Sequence, residues 1–499
     1  MSAPRANLAR SDPAYRAVID IGSNTVRLVV YGAPFRAPTV RLNERVTARL
    51  GRELGDTGRL PEDGMAMALE AVGRFRALLD RLGVQDVETV ATAAPREAEN
   101  GREFLKAVAE HGFDPRLLSG VEEAETSAQG VLGAFPGAQG IVADLGGGSL
   151  ELVDVAAGES SHGISLPLGT LRLAALRDDG REAFSEDVAE LIRSSDYDIV
   201  KGQTLYLVGG SLRAFARFVM VESGSPLEDP HGFRMSLKTA RKMAKSCMAA
   251  YPSALQSISG VSSSRSAMLP DTAALLRELL AALEPSDIVV SAWGLREGLI
   301  YRGLPKEEQA RDPFLAGVEE FTGPRGGSLD LARIVADWCA PVSQCSGDDA
   351  VSISDRVQLG ATMLALASAS LEPNIRRRHV VDWALHKRWL AIDPNERALI
   401  CAALLANTNA TEPPKELRAI ARPEALEAGI RLGLAIRLCR KIAANTAEAL
   451  SQTGMVIENR GIVLRIEEAA GDLYAPTVER GLEGLSARLG MTHTVEIRN

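Results

Sequence analysis

Two stretches of this chain carry the same order of apolar and polar positions. In AVIDIGSNTVRLVVY, residues 17 to 31, and IVADLGGGSLELVDV, residues 141 to 155, an apolar run reaches an aspartate, passes small residues and resumes with polar residues interleaved. The second run has a period closer to two than to 3.6, so each stretch predicts a β-hairpin with a small-residue tip. P-loop and dinucleotide motifs differ, because there the glycines lead from a strand into a helix. The two stretches overlay without a gap: Asp20 on Asp144, Ile21 on Leu145, Gly22 on Gly146, Ser23 and Asn24 on Gly147 and Gly148, Thr25 on Ser149, Arg27 on Glu151. This duplication predicts two similar half-domains, each presenting one loop whose amides can approach an anion. Taken alone, the glycine hairpin is equally an ordinary tight turn in which Asp144 caps its own backbone.

The remaining pattern alternates between strands and helices. Helical periodicity runs from 65 to a terminal glycine at 83, VETVATAA from 87 reads as a strand, Pro95 and Arg96 open another helix, and a further helix starts near Ser119. TLYLVGGSLRAFARF, 204 to 218, and SDIVVSAWGLREGLIY, 286 to 301, each read as strand, glycine turn and helix. Such junctions expose amides to a phosphate or a base edge, and they are also common packing devices. The alternation predicts an α/β layered fold. From about 306 the polar KEEQARDPF forms a linker, and Ala, Leu and Arg at helical spacing continue to about 450. GMVIENRGIVLRIEEA from 454 alternates like a hairpin and precedes the amphipathic TVERGLEGLSARLG, which predicts a small α/β cap.

At 499 residues, 46% hydrophobic and 24% charged, the chain has room for about three globular domains. Its net charge of −9 argues against general attraction to nucleic acid or acidic membranes, so a polyanionic substrate needs a local basic patch. The five cysteines, at 247, 339, 345, 401 and 439, have no CxxC or zinc-type spacing and read as reduced core thiols of a cytoplasmic protein. The amino terminus lacks a signal-peptide pattern, its first dozen residues read as a loose tail, and ALICAALLA from 398 is too short to span a bilayer.

GxxxxGK[ST], HExxH and GxSxG are all missing, and no histidine is followed by aspartate, which leaves catalysis to carboxylates. LLSGVEEAETSAQGVLG, 117 to 133, contains the best candidate. Ser119 and Glu122 fit a capping box, which occupies Glu122. Glu123 lies about 100° further round the helix and is free to face a ligand, with the helix start favouring its ionised form. An ionised carboxylate beside a phosphate is a natural base for water. From this stretch alone, a solvated first-turn acid is the simpler account of Glu123.

Read in order, AVIDIGSNTVRLVV, TAAPREAENG, LLSGVEEAE, VADLGGGSLELV, LVGGSLRA and SAWGLREGLIY resemble the exopolyphosphatase and guanosine pentaphosphate phosphohydrolase family over roughly residues 15 to 305. The resemblance implies two ribonuclease H-like lobes of the actin and sugar-kinase kind, 1–134 and 135–305. A mainly α-helical, degenerate HD-like domain, 306–450, and the α/β cap, 451–499, follow. It implies removal of the terminal phosphate of polyphosphate, or the 5′ phosphate of guanosine pentaphosphate, with Mg2+. By similarity Glu123 is the catalytic base, and Asp144 and Glu151 are metal and water ligands. Gly22, Ser23, Asn24, Thr25, Arg96, Gly146, Gly147, Gly148, Ser149, Gly210 and Ser211 contact phosphate. Leu150 replaces a usual threonine and Pro95 a usual leucine. Longer relatives often keep part of a His-Asp set in this region; here there is no such pair, only His379 and Asp382 nearby, so neither metal nor hydrolysis is expected in the helical domain. RRRH, 376 to 379, reads as a solvated face, with guidance of a polyanion as the alternative. No nucleic acid or membrane partner is expected, and the resemblance implies a homodimer joined partly through the helical domain. A binding protein that senses polyphosphate or alarmone without turnover is the non-enzymatic alternative.

Overall fold

The computed structural model describes residues 15–178, 180–344 and 352–498. The loose tail expected over the first dozen residues and Cys345 lie outside these. The chain divides into two compact units, Met1–Ser223 with Pro230–Arg311, and Gly224–Asp229 with Asp312–Asn499.

The first unit contains two sheets. One comprises β1 Tyr15–Ile21, β2 Val26–Gly32, β3 Thr39–Val46, β4 Asp86–Ala91 and β5 Pro115–Leu117, in the order β3-β2-β1-β4-β5. The other comprises β6 Gly140–Leu145, β7 Leu150–Ala156, β8 Glu159–Leu166, β9 Thr204–Val208, β10 Arg234–Met235 and β11 Asp287–Val290, in the order β10-β11-β9-β6-β7-β8. In each, three antiparallel strands continue into parallel ones, with β1 beside β4 and β6 beside β9. The repeat of sequence is thus a repeat of topology. Its registers agree too: Asp20 faces Arg27 across the first hairpin as Asp144 faces Glu151 across the second. One hydrogen bond closes each tip, Gly22 N to Thr25 O and Gly146 N to Ser149 O, both 3.0 Å.

The capping box forms: Ser119 Oγ accepts from Glu122 N at 3.2 Å, and Glu122 Oε2 accepts from Ser119 N at 2.8 Å. It starts the helix Gly120–Ala134, whose Ala124, Ala128, Val131 and Leu132 pack on Val142, Val153 and Val155 of the second sheet. The helix Leu295–Arg302 instead places Leu299 and Ile300 against Val18, Val29 and Val90 of the first sheet. These two helices meet backbone to backbone, since a Cβ on Gly298 would lie 1.8 Å from Thr126 O and one on Gly130 2.3 Å from Gly294 O. Glycine at these positions lets the chain cross between the sheets without separating them.

One helix expected at Pro95 is two, Ala93–Glu97 and Gly101–Glu110. Asn100 explains the break: its side chain accepts from Leu60 N at 2.8 Å and donates to Leu60 O at 3.1 Å, which turns the chain between them.

The second unit is mainly helical, and the long helices Pro394–Asn407 and Pro423–Ala443 lie at its centre. A Cβ on Gly433 would lie 2.1 Å from Ala403 O, so these helices also touch at the backbone. The expected hairpin is present as β12 Thr453–Glu458 and β13 Gly461–Glu467, followed by the helix Pro476–Leu489. A further strand, β14 Thr492–Arg498, pairs parallel with β13 and was not expected. Leu464, Val478, Leu482 and Leu485 share one core with the central helices. The expected linker contains a short helix, Lys306–Ala310. In RRRH, Arg377 and Arg378 are exposed, whereas Arg376 donates to Leu371 O and Ala369 O. Cys247, Cys339, Cys401 and Cys439 are buried free thiols. Among the described residues no helix is long and apolar enough to cross a membrane.

Candidate active site

The two hairpin tips meet in the first unit. A Cβ on Gly148 would lie 2.5 Å from Ser23 Oγ and 2.9 Å from Ala93 Cβ, and one on Gly147 would lie 3.2 Å from Asn24 N. Close approach of the two loops therefore requires glycine at 148, a constraint additional to any ligand. The tips form the walls of a cleft of about 1200 Å³ including its open mouth. Gly209, at φ 98°, starts the helix Gly210–Glu222 and brings Gly210 and Ser211 to the same cleft.

Carboxylates gather along it. Glu123, Asp144, Glu151, Asp20 and Glu297 all line the cleft. Asp144 accepts from Ser127 Oγ, Glu151 accepts from Ser165 Oγ at 2.8 Å, and Glu123 Oε2 accepts from Arg96 Nη1 at 3.0 Å. Asp20 accepts from Arg296 Nη1 at 2.7 Å, a bond that joins the first hairpin to the helix Leu295–Arg302. Glu297 takes the Tyr31 hydroxyl at 2.7 Å and the Gly294 amide at 3.2 Å.

Burial decides the electrostatics of this group. Only 1% of Glu151 is exposed, and burial, followed by the charges of Glu123 and Asp144, raises its carboxyl well above the usual range. Burial also raises Asp144, against the Ser127 hydrogen bond and the charges of Arg213 and Arg296. Glu123 is pushed from 4.5 up to about 7, burial outweighing the hydrogen bond and charge of Arg96, with Asp144 and Asp20 adding repulsion. The expectation that the helix start keeps Glu123 plainly ionised is therefore corrected: desolvation is the larger effect. Burial opposes the charge on Glu297 as well, but Arg296, Tyr31 and the Gly294 amide hold that carboxyl below its ordinary value.

Gly22 to Thr25, Gly146 to Ser149, Gly210, Ser211, Glu123, Asp144 and Glu151 all line one cleft. Arg96 does not; it reaches the site through Glu123 and also donates to Leu118 O at 2.9 Å. Sequence reasoning missed the arginines that line the cleft, Arg27, Arg45, Arg213, Arg265 and Arg296. Arg265 packs directly on Gly210, whose Cβ position lies 2.6 Å from the guanidinium. Burial, then the charges of Arg45 and Arg296, lowers its pKa, so positive groups are crowded here. Arg27, Arg213 and Arg296 stand inside the glycine-bearing motifs, whereas Arg265 lies in a serine-rich stretch with no pattern to mark it.

The donor set fits a hard divalent cation. Asp144 and Glu151 offer only oxygen, face each other across one hairpin, and are held above their ordinary pKa by burial first and then by neighbouring carboxylates, Asp20 for Asp144 and Glu123 with Asp144 for Glu151, which a cation would relieve.

This geometry has counterparts. A family model described as the Ppx/GppA phosphatase family matches residues 30–307. Exopolyphosphatase 1 of Mycobacterium leprae is 29% identical over 321 residues, 61% of this chain and 94% of that protein. Retrograde regulation protein 2 of Saccharomyces cerevisiae is 28% identical over 339 residues, and the alignment spans 60% of this chain but only 57% of the yeast protein. The crystal structure of the Aquifex aeolicus Ppx/GppA family member aligns at a TM-score of 0.51 and 26% identity, covering 58% of this chain and 97% of that one. With the repeated hairpins, the two-lobed fold and a family match over more than half its length, this chain belongs to the Ppx/GppA phosphatase family.

Proposed function

We propose that this protein hydrolyses the terminal phosphoanhydride of inorganic polyphosphate and releases orthophosphate. One observation carries the reading: Glu123, Asp144 and Glu151 lie along the same cleft as two small-residue turns and five arginines. The amides of both turns other than Gly22 N and Gly146 N, with those of Gly210 and Ser211, bind the terminal phosphate oxygens, and Arg265 binds an oxygen further out. Arg96 occupies Oε2 of Glu123, which leaves Oε1 to take the proton of an attacking water. The water oxygen bonds to the terminal phosphorus, the anhydride P–O bond breaks, and the bridging oxygen leaves on the shortened chain. Magnesium held by Asp144 and Glu151 would supply neutralisation of phosphate charge.

The cleft lining also favours the inorganic substrate. No aromatic side chain is among the described residues that line it, so a guanine base has no ring to stack on. Orthophosphate release from long-chain polyphosphate and from guanosine pentaphosphate, measured side by side, tests this. Polyphosphate should be the better substrate by kcat/KM. Release from guanosine pentaphosphate alone would move the same site to the alarmone, and binding of either without release would leave a sensor.

A further inference from the structure

The second unit contains a cluster that the proposed hydrolysis does not use. Glu479 and Glu483 lie one turn apart on the helix Pro476–Leu489, hence on one face, and β14 brings His493 beside them. His493 Nε2 is 3.1 Å from Glu479 Oε1, and one ligand atom from each of the three residues lies within 4.8 Å of the others. We propose that these residues bind a divalent transition-metal ion, with zinc as the reference ion.

Ser486 is buried beside this cluster. Its hydroxyl donates to Glu483 O at 3.0 Å, and its oxygen lies 3.0 Å from His493 Nδ1. With the Ser486 proton on the carbonyl, its oxygen accepts from Nδ1–H, one of the two tautomers this contact permits. That tautomer turns the bare lone pair of Nε2 toward Glu479, whose other oxygen already takes the Tyr474 hydroxyl. In that tautomer the Nε2 lone pair can hold a metal ion beside the Glu479 carboxylate, whereas in the other Nε2–H donates to Glu479. A metal ion also engages Glu483, which a single proton on Nε2 does not. One imidazole nitrogen with two carboxylate oxygens is a zinc donor set, and water completes a tetrahedral sphere. Ser486 on His493 and Tyr474 on Glu479 are the outer partners that fix such ligands in place.

The test is a zinc titration of the full-length protein by calorimetry near neutral pH, beside His493→Ala and Glu483→Gln. Thermal unfolding is followed in parallel, and cobalt replaces zinc where the visible spectrum is read. Carboxylates of the cleft in the first unit can also take metal, so the readout is the difference between the proteins. Wild type should bind one more equivalent than His493→Ala, and in wild type but not in His493→Ala this equivalent should raise the unfolding midpoint and give an imidazole-type cobalt spectrum. Glu483→Gln, at an exposed helical position where loss of folding is not an issue, should weaken that equivalent about tenfold or more. Equal stoichiometry and affinity in all three proteins would overturn the proposal and leave His493 hydrogen-bonded to Glu479 alone.

Discussion

Glu123 shows how burial overrides local position. A helix start favours a carboxylate by about 0.3–1 kcal/mol, but a rise from 4.5 to about 7 opposes it by about 3 kcal/mol at roughly 1.36 kcal/mol per unit. The folded-state value lies above the unfolded one, so the stabilising form is the protonated one. Its contribution is complete below about pH 4.5 and is lost as pH rises through about 7. Glu123→Gln cannot ionise, so without added metal it should match wild type near pH 4.5 and be the more stable protein above pH 7, as read by thermal unfolding at the two ends. Equal midpoints throughout would show that Glu123 is not desolvated. Gly148 gives a second prediction at this scale. Its Cβ would strike Ser23 and Ala93, whereas a Cβ on Gly146 meets nothing nearer than 3.4 Å. Gly148→Ala should reduce kcat about tenfold or more by spreading the loops, and Gly146→Ala should reduce it less.

Among the elements, the contact of the helices Gly120–Ala134 and Leu295–Arg302 fixes how the sheets share one site. Gly298→Ala places a methyl 1.8 Å from Thr126 O and should destabilise the protein by about 1–3 kcal/mol, measured by denaturant unfolding. An unchanged midpoint would mean that the helices separate freely. Both hairpins were legible because the pattern occurs twice, and the helix start because Ser119 and Glu122 have capping spacing. β14 was not: Val495 and Ile497 are its only large aliphatic residues, and Ile497 is 57% exposed. It exists because β13 offers an edge to pair with, which no local pattern records. The cleft arginines were hidden for a similar reason, since β2, β3 and three helices bring them together from distant parts of the sequence.

For the whole molecule, net charge and site charge have opposite signs. A chain of −9 repels a polyanion at long range, and the cleft arginines must provide the attraction locally. Polyphosphate binding should therefore weaken as salt rises, and Arg265→Ala should raise KM about tenfold and flatten that salt dependence while kcat falls much less. A KM unchanged by Arg265→Ala would remove this residue from the substrate path. The central claim is that Glu123 activates water for attack on a phosphoanhydride. Its most direct test is the rate of orthophosphate release from long-chain polyphosphate by wild type and by folded Glu123→Gln, with magnesium and with chelator. The account predicts metal-dependent release by wild type and a loss of about a hundredfold or more in the variant; wild-type rates in Glu123→Gln would contradict it.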